Sequence, residues 1–182
     1  MDEQSMTAAS PPVMRFKEAE YFHSQFLKNC GPPRDSYFLM VCYFDAFLFT
    51  LISVEEMVSA CAKKQLLACN EFRFLKALRN ISSHHSVLGA ALTDSKFHRP
   101  FSRVISENIG GLQIASSRLK LRFDVLHTIF DAVQKERPSE ANTLNIARTF
   151  LQELEKQKIQ EVFLEELMKR GLEAVSAILP TV

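Results

Sequence analysis

The chain has 182 residues, 47% of them hydrophobic and 24% charged, with a formal net charge of +1. That is one domain's length with apolar material for a real core, which excludes a disordered chain. The near-zero charge excludes a global field that draws in nucleic acid, so any basic surface must be local.

Residues 1–12, ending in Ser10-Pro11-Pro12, read as a flexible leader with neither the basic n-region nor the apolar run of a signal peptide. A first amphipathic helix is predicted from about Val13 to Asn29, with Phe16, Ala19, Phe22, Phe26 and Leu27 on its inner face. Gly31-Pro32-Pro33 stops it. Asp35 or Ser36 can cap a long second helix that runs to about Lys64. Its apolar surface is too broad for one stripe, which predicts a central helix touching several others or a second subunit. Tyr37 to Val54 approaches the length of a membrane span. An Asp near its middle (Asp45) and the lack of a neighbouring span predict a buried bundle helix and no membrane.

Asn70 caps the predicted third helix, Glu71 to about Leu88, and Gly89 stops it. From Thr93 to Phe123 helical periodicity fails. Asn108-Ile109-Gly110-Gly111 is a turn signal, and Arg118 to Phe123 alternates cation and apolar residue as a half-buried strand does. A fourth helix is expected over about Asp124 to Lys135. Ser139 opens a long final helix carrying Ala147, Phe150, Leu151, Leu154, Val162, Leu164 and Leu167, with a break near Gly171. The predicted fold is all-α: a four- to five-helix up-and-down bundle forming one domain over residues 13–182, with a β-hairpin or loop inserted near 93–123.

Cys30, Cys42, Cys61 and Cys69 show no metal-ligand spacing, so no metal or other cofactor is expected. Three of them sit among apolar neighbours and read as small hydrophobes, and reduced thiols suit a cytoplasmic address. The adjacent carboxylates Glu55-Glu56 and Glu165-Glu166 read as solvated. No P-loop, GxSxG, HExxH or Rossmann glycine set is present.

The informative stretch is Arg79-Asn80-Ile81-Ser82-Ser83-His84-His85, near the end of the third helix. A helical wheel gathers Phe74, Ala77, Leu78, Ile81 and Leu88 on one arc, with His85 among them. Arg79, Ser83, Asn80 and His84 fall on the opposite side. His84 is therefore the functional candidate, and His85 replaces it only if the helix ends early. A second Arg and His at the same spacing, Arg122 and His127, span a predicted strand–helix boundary with Phe123 after the Arg. The competing reading of the strip is a solvated helix face.

At these residues the sequence resembles the HEPN (higher eukaryotes and prokaryotes nucleotide-binding) family, whose signature is R-N-x-x-x-H. The resemblance implies a helical homodimer whose motif helices share a cleft, and metal-independent endoribonuclease activity on single-stranded RNA in stress response or defence. Arg79, Asn80 and His84 would then be the catalytic residues. In family toxins modified by a partner nucleotidyltransferase, a Tyr stands two positions after the His. Here that position is Ser86, so such control is not implied, although a regulatory partner protein remains open. The alternative is a catalytically silent HEPN-like module that binds nucleotide, RNA or a protein. A third reading is a helical adaptor whose Phe-rich second helix meets a partner.

Chemically, the set suits RNA cleavage. The 2′-hydroxyl attacks the adjacent phosphorus, an imidazole moves protons near neutral pH, and a guanidinium steadies the phosphoryl oxygens. On the alternating strand, Arg118, Lys120 and Arg122 share one face and are candidate RNA-binding cations. A charged strand edge that blocks aggregation explains them equally well.

Overall fold

The computed structural model describes residues 10–30, 37–85, 101–109 and 112–179. Pro11–Lys28 forms α1, Tyr37–Met57 α2, Ala60–Ala68 α3 and Asn70–His85 α4. The hairpin strands β1 (Phe101–Ile109) and β2 (Leu112–Arg122) follow, and β2 runs directly into α5 (Phe123–Glu136). A 3-10 turn (Pro138–Glu140) leads to α6 (Ala141–Lys156), then the short strand β3 (Glu161–Phe163) and α7 (Leu164–Ser176). The fold is all-α with a β-hairpin insertion, as the periodicity predicts. Of the expected leader only Ser10 to Pro12 is described, and Pro11 and Pro12 open α1 instead, since proline suits the first helical turn. The expected third-helix end with its Gly89 stop, residues 93–100 and the Gly110-Gly111 turn lie outside the described residues.

The helix count exceeds the expected four or five because two predicted helices are each broken. The second ends at Met57, and Ser59 caps a separate α3 by accepting the Ala62 N–H at 3.3 Å. A serine oxygen that satisfies an orphan donor offers the chain a helix start where the apolar pattern alone suggests continuity. The final helix breaks at residues 157–163, not near Gly171. There the Ile159 N–H bonds the Leu154 carbonyl at 3.1 Å and the Lys158 N–H bonds the Glu155 carbonyl at 2.8 Å. This is a Schellman stop with Lys158 in the left-handed conformation, φ 62°, where glycine is the usual occupant.

Gly171 instead lies buried inside α7. A Cβ there would meet Leu75 Cδ1 at 2.5 Å and Leu51 Cδ2 at 2.9 Å, so the missing side chain lets α7 close on α4 and α2. Around this contact the core gathers Phe44, Phe47 and Leu51 of α2, Phe74 and Leu78 of α4, Leu151 of α6 and Leu167 of α7. Phe74 stacks on Phe150 at 4.4 Å between centroids. α2 is thus the central helix its composition predicts. It is the one helix among the described residues long and apolar enough to cross a membrane, and most of that span is covered by its neighbours.

Three smaller expectations are corrected. Leu27, placed on the inner face of α1, is 44% exposed, while Val13 is buried in its stead. Glu55 is not solvated: it is 2% exposed, held by Lys76 at 2.7 and 2.6 Å and by Lys63 at 3.1 Å, so one carboxylate ties α2, α3 and α4 together. Cys42 and Cys61 are exposed rather than packed as small hydrophobes.

Candidate functional site

Helix α4 presents the strip because its other face is committed to the core. Phe72, Phe74, Leu75, Ala77, Leu78 and Ile81 are all buried, leaving Arg79 and Asn80 half-exposed on the flank. The Arg79 guanidinium carbon stands 5.0 Å from the ring centroid of Phe49 on α2, a cation–π contact with a ring that is itself 57% exposed. Its Nη1 donates to Asn80 Oδ1 at 3.3 Å. Its Nε–H is buried and has no hydrogen-bond partner among the described residues. Arginine and amide are therefore brought together at the α2–α4 seam, with one guanidinium donor unspent.

One turn along, the Ser82 hydroxyl donates to Asp45 Oδ1 of α2 at 3.1 Å. Burial pushes the Asp45 carboxyl above its ordinary value, an effect the Ser82 bond partly offsets. Burial and the nearby Asp45 charge raise the Cys42 thiol in turn. Asp45 and Phe49 are the neighbours that the motif by itself does not reveal. The signal for Asp45 is the one acid within the apolar stretch Tyr37–Val54, and Phe49 follows one turn later on the same side. His84 and His85 belong to the last turn of α4, and their side chains, like that of Ser83, lie outside the described residues.

At the hairpin, the side chains of two of the three candidate cations are described. Leu119, Leu121 and Phe123 are buried and Lys120 and Arg122 face outward, as the alternation predicts. Yet β2 is the middle strand of a three-stranded sheet ordered β1-β2-β3, with Lys120 opposite Phe163 and Arg122 opposite Glu161. At Lys120 and Arg122 it is therefore not an edge. Lys120 pairs with Glu161 at 2.5 Å and lies over the Phe163 ring, while Arg122 pairs with Asp124. The side chain of Arg118 lies outside the described residues. Two of the three cations thus have carboxylate partners.

Among the described residues no cluster of three His, Cys, Asp or Glu side chains could hold a metal ion. Comparison with protein-family models, with curated proteins and with solved structures finds no match to the chain.

Proposed function

We propose that the chain is a HEPN-like cytoplasmic endoribonuclease in which the strips of two copies, each Arg79, Asn80 and His84, line one cleft and cut single-stranded RNA without a metal, in stress response or defence. The observation that carries this reading is the half-exposed Arg79 guanidinium at the α2–α4 seam, bonded to Asn80. The Nη groups of a half-exposed guanidinium can grip an anionic phosphoryl oxygen.

Homodimer formation draws support from the same flank. Phe38 and Phe49 of α2 are 61% and 57% exposed, and Tyr21 and Met14 of α1 border an open groove of about 720 Å³ beside Phe49. Aromatic area exposed beside a polar strip suits a second copy that completes the cleft. In such a pair, one His84 takes the 2′-hydroxyl proton while the other protonates the leaving 5′-oxygen. Arg79 offsets the charge on the phosphorane, and the product is a 2′,3′-cyclic phosphate.

The test is cleavage of an unstructured RNA by purified protein in excess EDTA, with Arg79→Ala and His84→Ala beside it. Loss of activity in both variants is expected. Abolition by chelator, or full activity in His84→Ala, refutes the assignment. The second reading, a silent module binding nucleotide, RNA or a protein, is favoured by the Phe49 contact, which holds the guanidinium without any imidazole. It predicts RNA binding that needs Arg79 but no cleavage by the unaltered chain.

A further inference from the structure

The α2–α4 seam continues past Arg79. From the end of α4 backwards, Ser82 meets Asp45, Arg79 meets Phe49 and Lys76 meets Glu55. The two helices therefore run antiparallel, and each contact stands close to one turn from the last. Lys63 of α3 closes the row, 3.1 Å from the Glu55 oxygen (Oε1) to which Lys76 donates at 2.7 Å. Both ammonium groups thus meet a single oxygen and are neighbours in space, although they come from different helices.

At this end of the seam the carboxylate is covered and the cations reach solvent. Glu55 is buried, whereas Lys63 is exposed and Lys76 half-exposed. One carboxylate offers about four acceptor sites to six ammonium N–H donors. The pair therefore keeps both donors and one unit of positive charge for a second anion. Arg73 precedes Lys76 by three residues, the spacing of neighbours on a helix surface, and makes no ion pair among the described residues. Glu71, at the start of α4, is held by Arg170. Glu56 shares the exposed side of α2 with Phe49, two turns away, and makes no ion pair among the described residues. Along the seam Lys63, Arg73, Lys76 and Arg79 stand against Glu55, Glu56 and Asp45. The surplus is positive with no histidine counted.

We infer that Lys63 and Lys76, with Arg73 beside them, form a second phosphate subsite that takes the RNA phosphate next to the one at Arg79, so that the strand lies along the α2–α4 seam. Buried Glu55 is the positioning group, because it draws the two ammonium groups together and neutralises only one of them. About 4.5 Å of helix rise separates Lys76 from Arg79, a step that the long side chains can widen to one nucleotide. The inference rests on the reading of the α4 strip as an RNA site, and holds whether or not that strip is catalytic.

The experiment is fluorescence anisotropy with a decanucleotide of 2′-O-methyluridine, which lacks the attacking hydroxyl, titrated with the full chain at several salt concentrations. Lys63→Gln should weaken binding about fivefold. It should also flatten the slope of log affinity against log salt by about 0.7, the share of one phosphate contact on a single strand. Arg73→Gln should act in the same sense, Lys63→Arg should keep both values, and Lys135→Gln on α5 should change neither. Unchanged affinity and slope in Lys63→Gln, or an equal loss in Lys135→Gln, overturns the inference. Lys63→Gln leaves Lys76 on Glu55. If circular dichroism nonetheless shows it unfolded, Arg73→Gln, which breaks no ion pair, decides by the same two readouts. Failure of the cleavage reading looks different: Lys63→Gln weakens binding of the blocked strand, yet the unaltered chain does not cut unmodified RNA. Cleavage that needs His84, with binding indifferent to Lys63→Gln, sinks the subsite alone. No binding of the blocked strand by the unaltered chain sinks the subsite and the RNA reading together.

Discussion

The two Arg-x-x-x-x-His pairs of this chain rest on different supports. Arg79 and His84 lie on one helix, where the helical repeat alone sets their spacing and a neighbouring helix supplies only Phe49 and Asp45. Arg122 closes a strand and His127 lies in the helix that follows. Their surroundings come from Glu155, 28 residues past the His, and from the stop that ends α6. The first pair is legible as a motif and the second is not, although the second has the more fully described setting. Spacing along the chain thus finds sites carried by one element and passes over sites assembled at a junction.

The sharpest way to break this contrast is to exchange the histidines' roles. Under the cleavage reading, His84→Ala lowers the cleavage rate by about 10²–10⁴-fold, the usual cost of a lost acid–base group, while His127→Ala leaves it unchanged. Equal losses in the two variants, measured on the same labelled RNA, would collapse the distinction.

The support beneath the α4 strip comes next. Lys76→Met removes the cation that grips both oxygens of buried Glu55. It should cost about 2 kcal/mol of unfolding free energy, the value of a hydrogen bond to a charged group, read in a urea titration. Gly171→Ala pushes a methyl against Leu75 and Leu51, and overpacking of this kind costs about 1–3 kcal/mol. At the junction the sign reverses. Lys158→Gly relaxes a left-handed lysine and should add about 1 kcal/mol, seen as a raised Tm. A lowered Tm would mean that the lysine stabilises the fold itself.

The smallest effect is a slope with pH. Burial beside Phe47 holds the His23 imidazole below its ordinary value. The folded state therefore prefers the neutral ring. Its contribution is whole above the unfolded pKa of about 6.5 and is lost as pH falls through that value toward the folded one. Asp45 acts in the opposite sense: its carboxyl is raised by burial, so its contribution is whole at low pH and is lost as pH climbs through its folded value. His23→Gln should flatten the decline in Tm between about pH 7.5 and 5. An unchanged decline assigns it to other groups.

Much of the architecture follows from local pattern. The 3.6-residue repeat of Phe74, Leu78 and Ile81, the strict alternation of Leu119, Leu121 and Phe123, and the breadth of the apolar surface on α2 each announce their element and its buried side. Arg79 and Asn80 are legible for the same reason, because neighbours on a helix face are fixed by sequence separation. What the pattern could not reveal was decided between elements. Ser59 ends a helix that hydrophobicity would continue, Glu55 goes inside because two lysines from other helices meet it, and β2 is flanked on both sides once residues 161–163 return to it. Spacing along a chain sets a residue's angle on its own element, while burial, charge pairing and strand neighbours depend on contacts that only closing the fold creates.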